Sequence, residues 1–211
     1  MTECQEFFKT LDTECDSRGS GASRGSRLRQ ERTGESQAAR IKRLIDWESQ
    51  TASPHSPGPV ESDELLRMAI LQGRDVADGA PYRGMFRPLV DIGLSADRLK
   101  AATSEECETR FRVLARGKNK PLYGFVDLSV SHLRSIECDR DANVGKDPND
   151  SQSILNAKAP KARAIAVYDT ATCQNIAHSE AFLIIKHTNT KPYKTLEADL
   201  LDYYKDRIKR Y

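Results

Sequence analysis

Three short strings of this chain carry side chains suited to an anionic sugar ligand. In APYRGMFRP, residues 80–88, Arg83 stands between a tyrosine and a glycine where the chain leaves a loop. Its planar fork can hold a diphosphate through two parallel hydrogen bonds, and Gly84 would let the backbone come close to a ligand. In LSVS, residues 128–131, Ser129 and Ser131 are two apart and share one strand face. Such a hydroxyl pair can order a carboxylate or bond a ribose. In HSE, residues 178–180, Glu180 leads into the apolar run AFLII. A carboxylate there is costly to bury unless it is paired or used. Beside a ribosyl carbon it would stabilise an oxocarbenium-like transition state and hold a ribose hydroxyl. Each string also has a plain reading: a surface arginine by a turn, a strand end capping the next segment, and a solvent-facing strand end.

Taken in the order Arg, Ser, Glu, the strings resemble the mono-ADP-ribosyltransferases of the Arg–Ser–Glu class, among them bacterial toxins and type III secreted effectors. The strings that match are Tyr82-Arg83-Gly84, Ser129-Val130-Ser131 and Glu180, and the likeness covers residues 60–211. It implies an arginine on the first core strand gripping the NAD diphosphate, here Arg83. It implies Ser129 and Ser131 lining the nicotinamide site and Glu180 as the catalytic residue, with no metal. The implied reaction is transfer of ADP-ribose from NAD to a protein target by a secreted effector or toxin. Two positions depart from the pattern. Val130 replaces the usual threonine of the middle motif, and His178 stands where arginine-modifying members carry a first glutamate. A catalytically degenerate relative, acting as a protein-interaction module, is therefore the alternative expectation.

Other chemistries fit less well. His178-Ser179-Glu180 also has the His-x-Glu form of zinc-dependent deaminases, but no cysteine follows Cys173 to complete the metal shell. The five cysteines, Cys4, Cys15, Cys107, Cys138 and Cys173, include no CxxC pair and read as free thiols in a reducing compartment. His132 and His187 have no ligand partners at useful spacing, and Tyr123 reads first as core, then as a candidate ring to stack on nicotinamide.

The elements that must position these groups follow from composition and periodicity. Hydrophobic residues make up 38% of the chain and charged residues 30%, with a net charge of +2. That hydrophobic share is low for a chain packed throughout, and the small net charge makes nucleic acid an unlikely partner. A transmembrane segment is not expected, because no apolar run approaches the ~20 residues a membrane span needs. The acidic N-terminus is not a Sec signal peptide, so secretion by another route, into a host cell, or a cytoplasmic location is expected. Residues 1–59 read as a flexible arm. Within it lie the Ser/Gly/Arg-rich stretch 16–36, a short helix over 37–49 capped by Ser36, and a Pro-rich linker over 51–60. The run Arg18–Arg43, with eight basic and two acidic residues, is the one segment suited to nucleic acid or a membrane surface. Residues 60–211 read as one α+β domain. Helices are expected over DELLRMAILQ, 95–102, 104–115 and 195–209, with Thr103 and Glu106 at capping-box spacing. Strands are expected to start at Tyr82 and to run over 123–130, 164–168 and 181–187, and residues 139–153 form a long loop. The resemblance adds a split, mostly antiparallel sheet.

Overall fold

The structure, a computed structural model, describes residues 3–16, 33–50, 53–91, 93–139, 161–185 and 191–211. Most of the stretch read as flexible and most of the long polar loop lie outside these residues.

The fold is α+β, built on a six-stranded antiparallel sheet. Its strands are β1 (Leu65–Leu71), β4 (Leu94–Arg98), β5 (Leu122–Ser129), β8 (Ile165–Asp169), β9 (His178–Leu183) and β10 (Lys209–Arg210), in the spatial order β10–β5–β1–β4–β9–β8. Two small hairpins, β2 (Val76–Ala77) with β3 (Ala80–Pro81) and β6 (Glu137–Asp139) with β7 (Lys161–Arg163), stand apart from it.

The segment LLRMAIL, expected to be helical, is the central strand β1. Its composition suits a helix, but the alternation of its side chains decides the outcome. Leu66, Met68 and Ile70 enter the main core, while Ala69 meets Cys107 and Phe111 on the opposite face. Burial on both faces hides the period of two from a reading based on hydrophobicity. The helix expected over 95–102 is likewise a strand, β4, whose central place between β1 and β9 overrides local propensity. The arginine string does not enter a strand. Arg83–Phe86 is a single 3₁₀ turn, followed by the short helix α3 (Pro88–Asp91).

Where the local signal was strong it is met. Helix α4 (Ser104–Gly117) begins in a complete capping box between Thr103 and Glu106. The closing helix α6 spans Lys191–Tyr204 and gives way to a 3₁₀ turn and β10. One face of the sheet is closed by α6, by the turn at 83–86 and by α5 (Val130–Ser135), through Phe86, Val130, Leu133, Leu196, Leu200 and Tyr204. On the other face α4 covers β1 and β5, and the Tyr168 ring lies 6.3 Å from Phe8 and 5.5 Å from Phe182.

The first sixty residues contribute to this core where they are described. In helix α1 (Glu3–Asp16) Cys4 and Phe8 are buried, and in α2 (Gln37–Glu48) so are Ile41, Leu44 and Trp47. Glu48 binds Arg134, Arg163 and the Val167 amide, which docks the end of α2 on the edge strand β8. The expected linker is tied down as well. Arg98 donates to the Gly58 and Pro59 carbonyls, and Ser56 donates to Asp169. Helix α2 carries more apolar surface than an unpartnered arm would need, and that surface packs on the sheet.

The sheet is not continuous in its hydrogen bonding. β1 and β5 pair over their whole length, from Leu65↔Ser129 to Leu71↔Leu122. β1 and β4 pair only through Leu66↔Arg98 and Arg67↔Asp97, with one further bond from the Leu99 amide to the Leu65 carbonyl. Beyond Arg67 the two strands part. The sheet is thus two three-stranded leaves, β10–β5–β1 and β4–β9–β8, joined at one end.

Candidate functional site

A row of polar side chains crosses the junction on the face that carries α4. Register places Asp127, Arg67, Asp97 and His178 side by side on four adjacent strands. Arg67 grips Asp127 with two bonds of 2.7 and 2.9 Å and donates to Ser104 Oγ at 2.8 Å. Asp97, buried, accepts from Arg110 Nε at 2.9 Å and from the Asn175 amide at 2.7 Å. His178 Nδ1 lies 2.8 Å from Thr170 Oγ1. The hydrogen bond to Asp127 holds the Arg67 guanidinium above its ordinary range, against the opposing effect of burial.

Above this row, where β1 and β4 part, lies a cavity of about 380 Å³. One wall is Met68 and Ala69 of β1 with Arg110, Phe111, Leu114 and Lys118 of α4. The other is Leu94–Asp97 of β4 with Asn175 and His178, and Arg74, Pro88 and Gly93 complete the rim. On α4 a spacing of i, i+4 and i+7 would align Leu114 with the buried Cys107 and Phe111. Leu114 faces the cavity instead, 37% exposed.

Glu180 belongs to this region. It lies directly opposite the exposed Ser95 on β4 and opposite Tyr168 on β8. By strand alternation it shares the face of His178, and it is 8% exposed. Arg67, Ser95 and Glu180 therefore stand on three neighbouring strands and one face.

Ser129 and Ser131 gather elsewhere. Their hydroxyls are 3.0 Å apart, and Ser129 Oγ caps α5 by accepting from the His132 amide. Tyr204 accepts from the Ser129 amide and lies 2.9 Å from His132 Nδ1. The His132 ring stacks on Tyr203 at 3.6 Å, and Arg207 covers the other side of that tyrosine. The Tyr204 hydroxyl thus joins the Ser129 amide to the His132 ring. Burial and, after it, the charge of Arg207 hold His132 below its ordinary value. A depressed value means that the docking of α6 is at full strength above the ordinary imidazole value of about 6.5 and weakens as pH falls through the lower folded value. Hydrogen-exchange protection at residues 200–210, taken relative to the intrinsic rate at each pH, is expected to fall on acidification, and His132→Gln is expected to flatten that dependence.

The serine pair and Glu180 are not brought together. Three strand spacings of ~4.8 Å separate β5 from β9, and Ser129 and Glu180 lie four residues apart in register, so roughly 19 Å divides them. Arg83 is exposed on the 3₁₀ turn that packs on α6, on the opposite side of the sheet from α4. Gly84 serves local packing: a Cβ there would stand 2.2 Å from the Tyr82 ring. The arginine that lies on the first core strand is Arg67. Because β1 is buried on both faces, no local signal in LLRMAIL marks it.

No protein-family model matches this chain, and no curated protein or solved structure matches it either. What fold and site define is an α+β domain on a six-stranded antiparallel sheet, with a cavity between β1, β4 and α4. Among the described residues no helix is long and apolar enough to cross a membrane.

Proposed function

We propose that this domain transfers ADP-ribose from NAD to a protein target, using the cavity between the sheet leaves. The observation that carries the reading is the pairing of Ser95, which lines the cavity on β4, with the buried Glu180 directly opposite it on β9. Breaking the bond between ribose and nicotinamide leaves an electron-poor ribosyl carbon. A buried carboxylate beside it, Glu180, would stabilise that carbon. The acceptor nucleophile then bonds to it, and nicotinamide leaves with the electron pair. Ser95, across from Glu180, supplies a hydroxyl to orient the ribose.

Incubation with nicotinamide-labelled NAD tests the reading. Label should be released by the wild-type chain, and Glu180→Gln should slow release about a hundredfold or more. A wild-type chain that leaves NAD intact would overturn the transferase reading. In that case the second reading applies, a protein-interaction module on the same fold, which His178 in place of a second acid favours.

A further inference from the structure

The cavity's cations point to a phosphate site that its first-strand arginine does not serve. Arg67 lies on β1, yet its Nε and Nη2 are committed to Asp127 and its Nη1 to Ser104. Its side chain is 9% exposed. It is a structural group of the leaf junction with little to offer a ligand. Three other cations line the cavity. Arg74 sits just past the end of β1, with Nε and Nη2 engaged by Asp75 and Nη2 also on the Ala69 carbonyl. Arg110 gives Nε to Asp97 and Nη2 to Cys107. Lys118 is exposed at the C-terminal end of α4; its backbone amide caps the helix, and its ammonium has no hydrogen bond or ion pair among the described residues. Nη1 of each arginine and Nζ of Lys118 are thus donors with no protein acceptor among the described residues, all bordering one cavity. Asp97, the one carboxylate in the lining, already accepts from Arg110 and Asn175, and Asp75 pairs with Arg74 just outside it.

We infer that Arg74, Arg110 and Lys118 form a binding site for the phosphate oxygens of an organic phosphate, built on α4 and the loop after β1. Its body lies along Met68, Phe111 and Leu114. α4 runs from Ser104, beside Arg67, to the level of Gly73, where the Lys120 ammonium stands within 3.5 Å of a Cβ placed on Gly73. Arg74 and Lys118 therefore lie at the open end of the cavity, and Arg110 lies at the closed end beside Asp97. The ligand class is a phosphate or diphosphate ester with a flat or aliphatic body, oriented with its charge toward the mouth. The inference deepens the transferase reading by naming the groups that would hold NAD, and it rests on that reading only for the identity of the ligand.

The test is calorimetric titration with ADP-ribose, AMP and inorganic phosphate. The variants are Arg110→Ala and Lys118→Ala, with Arg112→Ala on the outer face of the same helix as control. The two cavity variants should each weaken ADP-ribose and AMP binding about tenfold, the loss expected of one hydrogen bond to a charged group. Arg112→Ala should bind like the wild type, and inorganic phosphate should bind more weakly than AMP. Unchanged binding by both cavity variants, or equal loss in the Arg112 control, would overturn the site. So would a wild-type chain that binds none of the three probes. NAD turnover is read separately. Phosphate-ester binding that depends on α4, without NAD consumption, leaves this site standing and removes the transferase reading. NAD consumption indifferent to Arg110 and Lys118 does the reverse.

Discussion

Replacing Arg98 by methionine is expected to cost about 3–5 kcal/mol of folding stability, the range seen when one member of a buried ion cluster is removed. Arg98 lies on β4 at the leaf junction and is 3% exposed. It binds Glu64 through Nε and Nη2 at 2.8 and 2.6 Å and Asp169 through Nη1 at 2.6 Å. The variant leaves two buried carboxylates with no cation between them and releases the carbonyls of Gly58 and Pro59. In the wild type, burial alone would raise Glu64. Hydrogen bonds from Arg98 and the Glu61 amide, with the charges of Arg98 and Lys100, together outweigh burial and hold it below its ordinary value. Asp169 goes the other way, raised by burial in spite of Ser56, Ala171 and Arg98. The stability that Glu64 contributes is therefore present above its unfolded value and lost as pH falls through the lower folded one. Asp169 has the opposite sign. Without Arg98 both carboxyls rise, so the penalty in the variant should shrink as pH falls, because protonation then relieves the buried charge. Urea denaturation of both chains between about pH 8 and about pH 5 reads this directly. A variant within ~1 kcal/mol of the wild type at the higher pH would contradict the cluster's role.

The second large effect is expected at Gly93. Its φ is +98°, and a Cβ there would lie 2.1 Å from Cε1 and 2.7 Å from Cδ1 of Phe182. Gly93→Val combines a strained backbone with a forced move of a buried ring, and the two together should cost roughly 2–5 kcal/mol. Gly93 also lines the cavity, and Phe182 is two residues from Glu180 on the same face of β9. The substitution should therefore weaken ligand binding even where the domain still folds. Thermal melting in the presence and absence of AMP separates the two consequences. An unchanged melting temperature would show that the ring yields at no cost.

Much of the framework was legible because local and global preferences agreed. The Thr103–Glu106 box, the alternation through Tyr123–Val130 and the apolar run after Glu180 each identify an element with little help from its neighbours. β1 and β4 were illegible for one physical reason. Their residues favour a helix on intrinsic grounds, and only burial between other strands makes them extended. That single misreading displaced the site. With β1 read as a helix, the first core strand appeared to start at Tyr82, and Arg83 took the place that Arg67 holds. Ser95 was missed because it fell inside an expected helix. Glu180 stood out because a carboxylate before AFLII is unusual under any assignment. The cavity has no local code at all. It exists because two strands with matching apolar faces stop pairing after Arg67.

That early end to the pairing makes the aperture adjustable. Two strand pairs and the Arg98 cluster fasten the leaves at the narrow end, while the wide end is spanned by the connection between β1 and β4, with its β2–β3 hairpin, 3₁₀ turn and α3. A small rotation at the apex would change the gap between Ala69 and Ser95 by a larger displacement, much as tongs close from the joint. Changes made at Arg98, which does not line the cavity, should for that reason alter ligand affinity as well as stability. Amide exchange slowing together along β4 and β9 when AMP binds would be the sign of that closure.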